Sequence, residues 1–156
     1  MFPLLHEINT LIQTNLEDIA ADINYDSHLQ ALDAYCQQME DYRDVLEEMI
    51  QALGKEIKQL RNKQRRFETL AAGAERSAKQ FQEEGQHKLA LAAHNRKKVM
   101  ELAARTFREE ADSQNEHFRI MMDAKLRLEA RLTEVAQKRT ILQAAQPPAP
   151  SLLLPI

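Results

Sequence analysis

The sequence has no tryptophan, one cysteine (Cys36), three glycines and only 5% aromatic residues. Each scarcity excludes something. A lone cysteine cannot form an internal disulfide and suits a reducing compartment. Gly54, Gly73 and Gly85 stand too far apart to build a phosphate-cradling loop. No run approaches about 18 uninterrupted apolar residues, so no membrane-spanning helix is expected. The apolar start of the chain has no basic region and is broken by Glu7, Glu17 and Asp18, which does not read as a signal peptide. The five histidines, His6, His28, His87, His94 and His117, follow no metal-ligand spacing. Neither catalysis, a metal nor a cofactor is expected.

Lysine and arginine are also missing from the first 42 residues, where eight acidic residues stand. All 21 basic residues fall between Arg43 and Arg139 together with 16 acidic ones, a local net charge of +5 inside a chain of −3. Copies of the chain could therefore pack acidic end to basic part.

What the sequence does have is helix-forming residues, 29% of them charged, carrying long apolar rows. Leu32, Met39, Leu46, Leu53, Leu60, Phe67, Ala74 and Phe81 recur every seven residues. A companion row runs Tyr35, Tyr42, Met49, then Ile50, Ile57, Gln64, Ala71, Ala78. A second stretch repeats the pattern with Ala93, Met100, Phe107, Gln114, Met121, Leu128, Val135 and Leu142, flanked by Ala111, Phe118, Lys125, Leu132 and Arg139. These are coiled-coil seams of matching length. Gly85 is the residue between them that takes a left-handed turn without strain, so the chain is expected to fold back there.

Under that fold-back, facing residues have numbers adding to about 171, and large residues repeatedly meet small ones: Phe67 faces Ala103 or Ala104, and Leu60 faces Ala111. Three polar intrusions remain, Gln64 against Phe107, Ile57 against Gln114 and Leu46 against Lys125. The expected fold is all-α: a long antiparallel coiled-coil helical hairpin over 27–143 with its tip near Gly85, arms of about 85 Å, a short N-terminal amphipathic helix over 1–24 and a proline-rich flexible tail over 144–156. Asp26 or Ser27 is the expected cap of the first arm.

The opening helix gathers Leu4, Leu5, Ile8, Leu11, Ile12, Leu16 and Ile19 on one face against Glu7, Thr10, Gln13, Thr14, Glu17 and Asp18. That face suits packing on the hairpin or on a second copy. It equally suits insertion into a bilayer interface, although without the cations that draw helices to anionic lipid. Lys55, Lys58, Arg61, Lys63, Arg65 and Arg66 form the densest basic run, beside Arg105 and Arg108. It reads as a solvated flank, or as a contact for lipid headgroups or for acidic parts of sister molecules. A nucleic-acid partner is not expected, because Leu60 and Phe67 continue the pairing seam through the run. The apolar end, Ser151 to Ile156, reads as a disordered terminus or a docking peptide.

The order of short helix, break and long arm, the run Gln38-Met39-Glu40-Asp41, and the turn Glu84-Gly85-Gln86-His87-Lys88-Leu89-Ala90-Leu91-Ala92-Ala93 resemble the phage shock protein A and plastid vesicle-inducing protein family, bacterial relatives of ESCRT-III, shortened at the C-terminus. The resemblance covers residues 4–143. It implies a non-enzymatic, cytoplasmic protein, peripheral at the inner face of the membrane, that assembles with itself and maintains or remodels membranes under stress. Leu5, Ile8, Ile12, Leu16 and Ile19 would then face the lipid. Its partners would be further copies, membrane lipids and a regulatory protein such as a transcriptional activator. The competing reading is a soluble coiled-coil adaptor or inhibitor of a protein partner, including a full-length family member.

Overall fold

The computed structural model describes residues 2–20 and 25–145. Four helices occupy them: α1 (Phe2–Ile12), α2 (Leu16–Ala20), α3 (Tyr25–Glu83) and α4 (His87–Ala144). The described residues contain no strand. The protein is all-α, and α3 and α4 pack against each other as a helical hairpin. Of the expected tail over 144–156, Ala144 is instead the last residue of α4, and 146–156, like the end of the opening helix at 21–24 with Ile23, lie outside the described residues.

The reversal sits where the glycine placed it. Gly85 has φ of +74°, and no other described residue has a positive φ. Around it the Gln86 N–H donates to the Phe81 carbonyl at 2.8 Å and the Gly85 N–H to the Gln82 carbonyl at 3.2 Å. Those paired bonds satisfy carbonyls that the end of α3 would otherwise leave open, as a Schellman ending does. α4 then starts within two residues.

Contacts divide the chain into a terminal unit, Met1–Glu48 with Met121–Ile156, and a tip unit, Met49–Ile120. In the terminal unit the core is Leu32, Tyr35, Met39 and Leu46 from α3 with Met121, Ala124, Leu128 and Val135 from α4, joined by Ile8 and Leu11 of α1. Ion pairs flank it, Lys125 with Glu47 at 3.1 Å and Arg139 with Asp33 at 2.7 Å. In the tip unit the buried residues are Leu53, Leu60, Ala71 and Ala74 against Ala90, Ala93, Ala104 and Ala111. Here Lys97 pairs with Glu75 at 3.4 Å. The partners 47 and 125, like 75 and 97, add to 172, within one residue of the register read from the apolar rows.

Each polar intrusion in the seam finds a local solution. Lys125 bridges Glu47 and, at 3.7 Å, Glu129, while the neighbouring Ala124 takes the fully buried place. Gln114 donates to Glu56 at 3.3 Å. Gln64 turns to Arg61 and Glu68, and Phe107 stacks instead on Phe67, with ring centroids 5.5 Å apart. Lys63 lies 5.5 Å from the centre of the Phe107 ring, a cation–π position.

Two expectations at the start of the chain need correction. α3 begins at Tyr25, so Asp26 and Ser27 are helical residues of its first turn and not the residue preceding it. The opening amphipathic segment is two helices, not one, with Gln13–Asn15 between them.

Two glycines give opposite predictions. A methyl group on Gly54, inside α3, would meet Phe118 at 3.8 Å, an ordinary contact. Gly54→Ala should therefore stabilise the protein by about 0.5–1 kcal/mol through helix propensity. Gly85→Ala meets no obstacle in space but must hold a positive φ, and should cost about 1–2 kcal/mol. Thermal melts followed by circular dichroism check both signs.

Candidate functional site

Side chains bond locally on both sides of the break after α1, although threonine back-bonds of the same kind occur at Thr69, Thr106, Thr133 and Thr140 inside unbroken helix. The Thr10 hydroxyl donates to the His6 carbonyl at 2.9 Å and the Thr14 hydroxyl to the Thr10 carbonyl at 3.2 Å. Such back-bonds compete with the helical ladder. Asn15 then restarts the helix: its side-chain oxygen accepts the Glu17 N–H at 3.0 Å, an N-cap for α2.

The terminal unit fastens both short helices. Ile8 is fully buried and Leu11 nearly so. The Tyr35 hydroxyl donates to the Leu11 carbonyl, and Arg131 donates to that hydroxyl at 3.3 Å. The same guanidinium donates to the Thr14 carbonyl and pairs with Glu134 at 2.7 Å. α1 carries no basic residue in its last turn, so Arg131 supplies the cation that the negative end of that helix favours. Three further side-chain contacts surround these: Tyr42 to Glu7 at 3.0 Å, Arg127 to Asn9 at 2.8 Å and Lys138 to Glu17 at 2.8 Å.

These contacts move proton affinities. The hydrogen bond from Lys138, and then its charge, hold the Glu17 carboxyl below its ordinary 4.5. The hydrogen bond to the Glu7 carboxylate, aided by some burial, holds the Tyr42 phenol above its ordinary 10. Burial, and then Glu40 and Asp33, raise the Cys36 thiol against the opposing Arg139. A raised thiol is a poor nucleophile at neutral pH.

Of the residues expected to form a lipid-facing stripe, Ile8 and Leu11 are therefore turned into the terminal unit, while Leu4, Leu5, Ile12, Leu16 and Ile19 are half-buried. The structure divides them between α1 and α2 and buries two of them. Sequence reasoning missed the residues that hold them: Tyr35, Tyr42, Arg127, Arg131 and Lys138. The tyrosine row offered a signal, since a phenol in an apolar seam needs a partner for its hydroxyl.

In the tip unit Lys55, Lys58, Arg65 and Arg66 are exposed. Their spacing places them on the α3 face away from Leu53, Leu60 and Ala71, the residues buried in the seam. Arg61 is different in kind, paired with Asp112 at 2.6 Å and half-buried. No acidic residue stands between Glu56 and Glu68. Among the described residues no group of three His, Cys, Asp or Glu could hold a metal, and no helix is long and apolar enough to cross a membrane. The chain matches no family model, no curated protein and no solved structure.

The lowered Glu17 value implies a stabilising contribution that is complete above pH 4.5 and lost as pH falls through the folded value. An NMR titration of the Glu17 carboxyl carbon should show a midpoint below 4.5, and in Lys138→Gln a midpoint back near 4.5. Equal midpoints in the two proteins would contradict the contact.

Proposed function

We propose that this protein is a non-enzymatic, self-associating hairpin of the phage shock protein A and ESCRT-III-like type, acting peripherally on the cytoplasmic face of a membrane in envelope maintenance under stress. The observation that carries the reading is the width of the apolar face on α1 and α2. The two helices carry seven leucine and isoleucine residues, Leu4 to Ile12 on α1 and Leu16 and Ile19 on α2, of which only Ile8 and Leu11 are buried. The half-covered remainder, Leu4, Leu5, Ile12, Leu16 and Ile19, gains further burial by entering the apolar edge of a bilayer. With no Lys or Arg before Arg43, binding rests on apolar insertion, not on attraction to anionic headgroups.

Charge supports self-association. The terminal unit contains 6 basic and 14 acidic residues, a net of −8, and the tip unit 15 and 10, a net of +5. Copies gain by setting one kind of unit against the other, and Lys55, Lys58, Arg65 and Arg66 offer exposed cations for the contact. Arg61 is already committed to Asp112.

The adaptor reading draws on a separate observation. Leu126, Ala130, Thr133, Gln137 and Ile141 are all exposed and lie on the face of α4 away from its buried Leu128 and Val135. An uncharged stripe at three- and four-residue spacing suits a partner helix.

Vesicle co-sedimentation separates the two. Wild type should pellet with phosphatidylcholine vesicles and Ile12→Asp should stay in solution; if wild type also stays in solution, the adaptor reading stands in its place. Self-association should weaken as added salt shortens the screening length below about 10 Å. Light scattering that does not change with salt would remove the charge-driven contact.

A further inference from the structure

The apolar and polar contacts of α1 and α2 behave differently on transfer to a membrane. Ile8 and Leu11 lose the cover of the terminal unit but regain an apolar surrounding among acyl chains, so that exchange is close to neutral. The polar contacts divide: the exposed ones at Glu7, Asn9 and Glu17 exchange for water, while the buried Tyr35 hydroxyl and part-buried Arg131 contacts have no counterpart among acyl chains. The Leu11 carbonyl loses the Tyr35 hydroxyl, the Thr14 carbonyl loses Arg131, and Glu7, Asn9 and Glu17 lose Tyr42, Arg127 and Lys138. The Tyr35 and Arg131 contacts therefore decide how often the helices are free.

Their placement is concentrated where α1 is weakest. Beyond α1 the Asn9 and Leu11 carbonyls accept the Gln13 and Thr14 N–H groups at 3.0 and 3.2 Å, the regular ladder then stops at Gln13–Asn15, and α1 has no cation of its own there. Tyr35 and Arg131 close that end from the hairpin side. Arg131 keeps only 16% of its side chain exposed, against 46% for Arg127. Arg127, Arg131 and Lys138 are half of the six cations in the terminal unit, and all three are engaged with α1, α2 or the segment between them.

We infer that the Tyr35–Arg131 pair is an autoinhibitory latch, which holds the N-terminal helices against the hairpin and so sets how readily their apolar face reaches a lipid surface. This rests on the membrane reading above and adds its regulation. The wild-type protein is mostly closed, and anything that competes for the Leu11 and Thr14 carbonyls or displaces Arg131 opens it.

The test uses the full chain and two readouts, amide hydrogen exchange over Ile8–Ile12 without lipid and partition onto phosphatidylcholine vesicles. Tyr35→Phe keeps the buried ring and removes the hydroxyl shared by Leu11 and Arg131. Exchange should quicken about fivefold, the factor one net hydrogen bond represents, and vesicle partition should rise by a similar factor. Tyr42→Phe, farther into solvent, should move both in the same direction by less, and serves if Tyr35→Phe lowers the melting temperature of the hairpin. Tyr35→Phe with Ile12→Asp should exchange fast yet not bind vesicles. Unchanged exchange in both tyrosine variants overturns the latch whatever the vesicles show. Faster exchange with wild type bound and partition unchanged overturns its control over binding. Faster exchange with no protein bound to vesicles at all overturns the membrane reading, and the gate falls with it.

Discussion

The structure depends on one interaction, the interlock of two apolar seams along α3 and α4. In the tip unit it succeeds because bulk on α3 answers smallness on α4. In the tip unit the buried residues of α4 are all alanines, Ala90, Ala93, Ala104 and Ala111, while α3 brings Leu53 and Leu60. In the terminal unit both helices contribute large residues, Leu32, Met39 and Leu46 against Leu128 and Val135, and all five are fully buried. A seam of that kind has one good register, since a shift by a single position sets leucine against leucine and leaves voids beside alanines. The Gly85 reversal supplies the register, and the ion pairs beside the seam conform to it; being exposed, they add little stability of their own.

Much of the hairpin is legible in the sequence for that reason. A heptad row is a local signal, and the rule that paired numbers add to about 171 needs only one turn to be located. What escaped is whatever two competing neighbours decided between them. Ala124 and Lys125 are adjacent; the row pointed to Lys125, and the structure buries Ala124 because the lysine can reach Glu47 from the flank. Phe67 was set against alanine, but the offset stack with Phe107 uses a geometry that spacing alone does not reveal. The interruption at Gln13–Asn15 was hidden for a similar reason. An apolar period of three and four continues across it, while the Asn15 cap that begins α2 is a local side-chain contact that the apolar row does not register.

The candidate site was legible in its apolar half only. Seven residues on one face could be named from periodicity, since a helix that short has to cover its apolar side with something. What covers it could not be read. The anchoring residues lie 24 to 121 positions away along the chain, in Tyr35, Tyr42, Arg127, Arg131 and Lys138. Sequence spacing carries no information at that range without a fold to fix it.

α1 and α2 meet the terminal unit through partly covered surfaces, with Ile8 and Leu11 buried and Leu4, Leu5, Ile12, Leu16 and Ile19 half-buried. The balance on those surfaces is between contacts that exchange freely and contacts that do not. Apolar area moved from a neighbouring helix to a bilayer or to a sister molecule changes partner at little net gain, so apolar area alone gives a poor switch. A half-buried arginine holding a backbone carbonyl is directional and has no equivalent in hydrocarbon, so it discriminates between the two placements. The acidic surroundings sharpen this. In a unit of net charge −8 the cations are few, and spending three on the N-terminal helices leaves an anionic surface that repels acidic lipid until some other gain compensates. Under the proposed membrane role, packing defects in a weakly charged bilayer would offer such a gain, because they reward apolar insertion without requiring counter-charge.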